Sequence, residues 1–275
     1  MNHSTASWER VLANATEKAE KSVSVVAASG NRALSIGTGA SGDKTLLADL
    51  RAEQELTKAL LRVDGVRILS EEGGDIGDPK NRTLGVIDPL DGSSNFELDL
   101  PFYCTSVAIA SGESLREVRV AMVRNLVNGD TYFAAKGKGA SKNGKKICTG
   151  KRGKLREAVL DIDLGGASEE AIKRLVPLLS RVKRVVHYGA NALELCLLAE
   201  GSIDAFVDLR GKMRATDIAG GYLIAKEAGA TISLTREPRS SPELCLTTRF
   251  GLVATANHNI QREISLGIQA RRGTI

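Results

Sequence analysis

The stretch Gly85-Val86-Ile87-Asp88-Pro89-Leu90-Asp91-Gly92-Ser93-Ser94-Asn95-Phe96 decides how this 275-residue chain is read. Leu84 to Ile87 has the apolar run of a short strand, and it ends in two carboxylates three residues apart, which such an end projects into one shared space. Pro89 fixes the bend between them, and Gly92 lets the backbone come close to a ligand. Ser93, Ser94 and Asn95 are residues that open helices, and a helix N-terminus offers free N–H groups to a phosphate. One segment thus supplies hard oxygen ligands for a cation and donors for a phosphoryl group. Oxygen ligands with no Cys or His point to Mg²⁺ or Mn²⁺ rather than zinc. The same residues also describe a plain strand-to-turn corner with a capping Asp, so the surrounding chain has to decide.

Two further acidic segments lie outward from it. Ser70-Glu71-Glu72-Gly73-Gly74 follows a strand read at Val66 to Leu69, and Ala215-Thr216-Asp217-Ile218-Ala219-Gly220-Gly221 opens a later helix. Asp49 falls in a helix read from Leu46 to Leu61. Singly, a glutamate pair is ordinary surface, a Thr-Asp is an ordinary cap and Asp49 an ordinary surface acid.

Trp8, Val11, Leu12, Ala15, Ala19, Val23 and Val26 recur at helical spacing, so the chain opens with a long amphipathic helix. The Gly-, Ser- and Thr-rich stretch from Ser29 to Asp43 reads as a mobile loop. Strands follow at Thr105 to Ala110, Val118 to Val123 and Thr131 to Ala135, with Asn143-Gly144 as a turn signal. From about Ala158 strands alternate with helices: strand Val159 to Leu164, helix Glu169 to Leu179, strand Val182 to His187, helix Ala190 to Ala199, strand Ala205 to Leu209 and helix Thr216 to Ala228. Strands Thr231 to Leu234 and Leu252 to Thr255 and a last helix complete it. The first half (1–155) is therefore expected to be α+β and the second (156–275) α/β, packed together without a linker.

The bulk numbers narrow the function. A net charge of +5 raises the question of an anionic partner, but the basic residues are spread along the chain with no stacked aromatic motif, which favours a phosphorylated metabolite over nucleic acid. Cys104, Cys148, Cys196 and Cys245 lie far apart, which suits reduced thiols in a cytoplasmic protein, three of them buried. No apolar run is long enough for a transmembrane helix. There is no Cys-x5-Arg loop and no GxxxxGK[ST] run, and His3, His187 and His258 are too scattered in sequence for a phosphohistidine or zinc site.

The three acidic segments, in this order and at this spacing, resemble the inositol monophosphatase superfamily, and within it the prokaryotic branch acting on both inositol monophosphate and fructose 1,6-bisphosphate. The resemblance runs from about Trp8 to Ile268. It implies a layered α-β-α-β-α sandwich of the sugar phosphatase type and an in-line attack of metal-activated water, with Mg²⁺ as cofactor and Mn²⁺ as a substitute. The implied metal ligands are Glu71, Asp88, Asp91, Asp217 and the Leu90 carbonyl. Asp91, Gly92 and Ser93 match the phosphate-holding residues, and Asp49 matches an acid that pairs with the Ser93 hydroxyl to orient the water. The loop from Gly37 to Asp43 matches a catalytic loop whose Asp43 helps a third, weaker metal. Gly189-Ala190-Asn191 and Asp208-Leu209-Arg210 match substrate-binding segments, with Arg210, Lys212 and Arg214 in an insertion typical of the bisphosphate-competent branch. A homodimer or dimer of dimers is the family's common assembly. The alternatives left open are a 3′-phosphoadenosine 5′-phosphate phosphatase of the same superfamily and a non-catalytic metal- or metabolite-binding member.

Overall fold

The computed structural model describes residues 4–235 and 242–269; His3 lies outside them. Helix α1 (Thr5–Ala28) is capped by the Ser4 hydroxyl and buries the stripe Trp8, Leu12, Ala15, Ala19, Val23 and Val26. It packs against α2 (Leu47–Leu60). Between them the expected loop holds a hairpin, β1 (Ser35–Thr38) and β2 (Lys44–Leu46). Every residue of β1 is exposed, so no apolar alternation marks it, and the sequence shows only its turn-forming composition.

Six strands follow in close succession: β3 (Val66–Ser70), β4 (Gly74–Ile76), β5 (Thr83–Asp91), β6 (Cys104–Ala110), β7 (Val118–Asn125) and β8 (Thr131–Ala135). The short helix α3 (Ser93–Glu97) interrupts them after β5. Hairpin β9 (Gly139–Lys142) and β10 (Lys145–Ile147) then turns at Asn143-Gly144, both with positive φ as a tight two-residue hairpin turn requires. All eight strands form one sheet in the order β10-β9-β8-β7-β6-β5-β3-β4. The single parallel pair is β3 with β5, so both strands deliver their C-terminal acids at the same edge.

The second sheet has the order β12-β11-β13-β15-β14, from β11 (Val159–Ile162), β12 (Arg184–Val186), β13 (Ala205–Met213), β14 (Thr231–Thr235) and β15 (Phe250–Thr255). Its helices are α4 (Glu169–Leu179), α5 (Asn191–Glu200), α6 (Ala215–Glu227) and α7 (His258–Gln269). Strand β13 runs past the end expected at Leu209, so Arg210 and Lys212 lie on its extension, within the irregularity between Asp208 and Met213 in its pairing with β15. Of the cysteines, Cys104 and Cys196 are buried, Cys245 is half-buried and Cys148 is exposed, so two rather than three are core residues. Cys148 follows β10 just where that edge hairpin returns to solvent.

Three apolar clusters separate the layers. One joins α1 and α2 to the outer face of the eight-stranded sheet. A second fills the space between the two sheets around α5 and α6. A third joins the far face of the five-stranded sheet to α4 and α7. The result is the α-β-α-β-α sandwich, and its middle layer, α5 and α6, is buried from both sides. Among the described residues no helix is long and apolar enough to cross a membrane.

Close approach of the two middle helices depends on Gly221. A Cβ there would stand 2.7 Å from the Ala192 carbonyl oxygen and 2.9 Å from Leu195 Cβ, and backbone cannot swing aside. Gly221→Ala is expected to cost roughly 1–3 kcal/mol as an overpacked core position, read as a lower urea midpoint. Gly153→Ala, where nothing lies within 4 Å, serves as the near-neutral control.

Candidate active site

The parallel pairing of β3 with β5 places Glu71 beside the end of β5, where the Glu71 N–H donates to the Ile87 carbonyl at 3.3 Å. The β5–β6 register shifts between Asp88 and Asp91, a bulge that turns both acids inward. Helix α6 presents Asp217 from its first turn, where the carboxylate accepts the Arg214 N–H at 2.8 Å. One oxygen from each of Glu71, Asp88 and Asp217 then lies within 4.8 Å of the others.

Asp91 stands beside this trio but faces another way. Its carboxylate accepts the N–H groups of Asn191 at 3.1 Å and Ala192 at 2.7 Å, at the start of α5, and faces the Cys104 thiol at 3.5 Å. A carboxylate from β5 is thereby aimed by the positive end of a helix one hundred residues later. Gly92 makes the turn with φ of 85°, and a Cβ there would meet Ala190 Cβ and the Phe102 carbonyl at 3.0 Å. No other residue type fits that corner.

A cavity of about 430 Å³ opens over these groups, and Asp49, Glu71, Asp88, Leu90, Asp91, Gly92, Ser93, Asn191, Arg210 and Asp217 all line it. The Asp49–Ser93 pair is not formed directly: the Asp49 carboxylate accepts the Leu46 N–H at 2.6 Å, capping its own helix. Nor is Asp49 a surface acid, since it is 2% exposed. Arg210 is held by carboxylates. It donates to both oxygens of Asp208, at 3.1 and 2.7 Å, and pairs with Asp163. Asp208 is fully buried, so of its segment Arg210 reaches the cavity and Asp208 anchors it.

Sequence reasoning placed Arg214 only in the basic insertion and missed its contact with the acidic cluster. Its guanidinium pairs with Asp43 and reaches Glu71 at 3.1 Å and Asp217 at 3.9 Å. The one available signal was its place three residues before Asp217, at the start of the same helix. Asp163 and Glu72 also line the cavity. The segment from Gly39 to Ser41 docks on the acidic strand end, with Ala40 N–H donating to the Glu72 carbonyl at 2.8 Å and Ser41 N–H to that of Glu71 at 3.0 Å.

Burial, then mutual repulsion, dominates the electrostatics. Asp88 is pushed well above the usual carboxylate range by burial, then by Glu71, Asp91 and Asp217. Glu71 is raised likewise by burial and Asp217, with Arg214 opposing. Asp91 rises to about 7 through burial, although the α5 N–H groups favour its ionised form, and Asp49 also rises to about 7 through burial. So many buried acids hold protons or cations; the all-oxygen donor set, with Arg214 as the neighbouring positive charge, fits a hard divalent cation.

A linkage prediction follows for the metal-free protein. The unfolded chain titrates these acids near pH 4, the folded chain near 7 for Asp49 and Asp91. Between those values the folded state carries more protons, so the stability these groups contribute is present at low pH and lost as pH rises towards 7. In chelator, the melting temperature is expected to fall between about pH 4 and 7, and Mg²⁺ is expected to flatten that fall by replacing the protons. A profile identical with and without the metal would contradict the cation-binding assignment.

The likeness to known proteins covers nearly the whole chain. The sequence profile of the Inositol monophosphatase family matches residues 7–269. A fructose-1,6-bisphosphatase/inositol-1-monophosphatase of Methanothermobacter thermautotrophicus is 34% identical over 269 residues, 94% of this chain and 95% of the relative. Its namesake in Methanocaldococcus jannaschii is 32% identical over 262 residues, 95% of this chain and 99% of the relative. A crystal structure described as an inositol monophosphatase-fructose 1,6 bisphosphatase superposes with a TM-score of 0.83 at 32% identity, covering 95% of this chain and 99% of that one. With its acidic strand ends, its layer order and residues 7–269 all accounted for, the chain belongs to the inositol monophosphatase family.

Proposed function

We propose that this protein is a Mg²⁺-dependent phosphatase that hydrolyses inositol 1-phosphate, fructose 1,6-bisphosphate or both. The observation that carries this reading is the convergence of Glu71, Asp88 and Asp217 in one cavity with Asp91 and the positively charged Arg210. A divalent cation held by Glu71, Asp88, Asp91, Asp217 and the Leu90 carbonyl supplies Lewis-acid polarisation of the phosphoryl group and a lowered pKa for water. The chain's own part is positioning and charge. The backbone at Gly92 and Ser93 borders the phosphate's place, and Asp49 with Ser93 flanks the approach of water, the two bridged by that water rather than bonded to each other. Asp49 rises to about 7, which suits a group that accepts a proton near neutrality.

The sugar or inositol end lies towards Asn191 and Arg210. The buried Asn191 amide oxygen has no hydrogen-bond partner, so it is available to accept from a substrate hydroxyl. Arg210 adds the positive charge for a second phosphate. The homodimer and the cytoplasmic setting expected from the sequence belong to the same proposal.

The test is release of inorganic phosphate from inositol 1-phosphate, fructose 1,6-bisphosphate and 3′-phosphoadenosine 5′-phosphate. Hydrolysis of the first two is expected to need Mg²⁺, to be partly supported by Mn²⁺, and to be suppressed by excess Ca²⁺, whose longer bonds and higher coordination number distort the site. Undiminished turnover in chelator would sink the metal mechanism. Preference for the nucleotide would move the protein to the other phosphatase class, and turnover of none of the three would favour a binding role.

A further inference from the structure

Behind the substrate side of the cavity lies a second group of potential ligands that the proposed phosphatase reaction does not use. Asp161 on β11, His187 just after β12 and Glu194 in the first turn of α5 each bring one ligand atom within 4.8 Å of the other two. Leu160 and Ile162 face the outer cluster, so the strand's alternation turns Asp161 into the middle layer, against α5. Asp161 and Glu194 are both fully buried. Neither oxygen of Asp161 makes a well-formed hydrogen bond, although the Ile162 and Tyr188 N–H groups lie near enough to favour its ionised form; Glu194 Oε2 has no partner, and the other Glu194 oxygen accepts the Gly189 N–H at 2.7 Å. Three carboxylate oxygens so weakly satisfied in a buried space are costly without a cation or a proton. Burial raises both acids, with repulsion from Asp163 added at Asp161 and repulsion from Asp161 added at Glu194. His187 is exposed and so offers an entry path from solvent.

We propose that Asp161, His187 and Glu194 form a second divalent-metal site, distinct from the carboxylate cluster at Glu71, Asp88 and Asp217. One imidazole with two carboxylates is a mixed nitrogen and oxygen set, which selects a first-row transition ion such as Zn²⁺ or Co²⁺ over Mg²⁺. The ion ties together β11, the β12–α5 connection and α5. That connection carries Tyr188, which stacks on Phe102 at 4.7 Å between ring centres and accepts the Asn95 amide at 2.7 Å. It leads directly into the Asn191 and Ala192 N–H groups that aim Asp91. The site is thus a positioning device for the cavity wall rather than part of the reacting centre.

The experiment is a Zn²⁺ titration in saturating Mg²⁺, on the wild type, His187→Ala and Asp88→Asn, with bound zinc counted per chain and Co²⁺ absorption read in parallel. One equivalent is expected to persist in Asp88→Asn, whose main cluster is damaged, and to weaken by at least about tenfold in His187→Ala. The Co²⁺ bands follow the same pattern. Glu194→Gln is expected to behave like His187→Ala; should that buried change prevent folding, the exposed His187→Ala still decides. Zinc binding that is equally tight in His187→Ala, or that disappears with Asp88→Asn alone, would overturn the proposal. So would the absence of any bound equivalent, which would leave a proton shared by Asp161 and Glu194 as the occupant.

Discussion

Asp91→Asn is expected to lower kcat by at least about 10²-fold, the scale of losing a major electrostatic contact to the transition state, while the metal-free protein melts no lower than the wild type. Both halves follow from one geometry. The carboxylate lines the cavity beside Glu71, Asp88 and Asp217, so under the proposed function neutralising it removes attraction for cation and phosphate together. In the metal-free fold the same charge is a burden, raised to about 7 by burial and by Asp217. The amide oxygen can still accept the Ala192 N–H at 2.7 Å, at the cost of the longer bond from the Asn191 N–H at 3.1 Å. Steady-state kinetics and a thermal melt in chelator check the pair. Near-normal turnover with normal metal dependence would overturn the site assignment, and a collapse of stability would make Asp91 a structural residue first.

Arg210→Ala is expected to show the opposite signature, a large loss of stability with a substrate-dependent loss of activity. Its side chain is 13% exposed, against 8% for Asp163 and none for Asp208, so it is not a solvated arginine at a strand end. Removing one partner of a buried ion pair costs roughly 3–5 kcal/mol because the other charge is left behind. Arg210→Lys keeps the charge and is expected to recover most of that stability, though not the two-pronged grip on Asp208. In the surviving folded protein, kcat/KM for fructose 1,6-bisphosphate is expected to fall roughly 10–100-fold, the kinetic equivalent of one charge-assisted contact. A substrate with a single phosphate is expected to lose much less. Equal losses on both substrates would reduce Arg210 to a structural clamp.

The parts of the site that sequence made legible are those whose chemistry is local. Asp88 and Asp91 sit on one strand, Glu71 follows its parallel neighbour, and Asp217 opens a helix, so strand ends and helix starts announce them. The layer order was legible through the resemblance and through the alternation of strand and helix after Ala158. Contacts made across the fold left no local trace. The α5 amides that hold Asp91 and the salt bridge from Arg214 to Asp43 depend on where the middle helices come to rest. Sequence distance also hid that His187 returns to the face of β11 beside Asp161 and Glu194. Short elements at the two ends of the sheet were also invisible: β4, β9 and β10 have three or four residues each. Strand periodicity needs more length than that.

The doubly buried middle layer has a consequence for the order in which the chain is made. The last strand of the eight-stranded sheet ends at Ile147, but α6, which seals that sheet's inner face, ends at Glu227. At about 5–20 residues per second of synthesis, those eighty residues take roughly 4–16 seconds to arrive. For that interval the ribosome carries a sheet already lined with Leu69, Leu84, Val86 and Val123 on a face with nothing against it. The wait is long compared with the collapse of a chain this size. A nascent chain of this protein therefore presents an adhesive apolar face to chaperones and to neighbouring chains before its active-site helices exist.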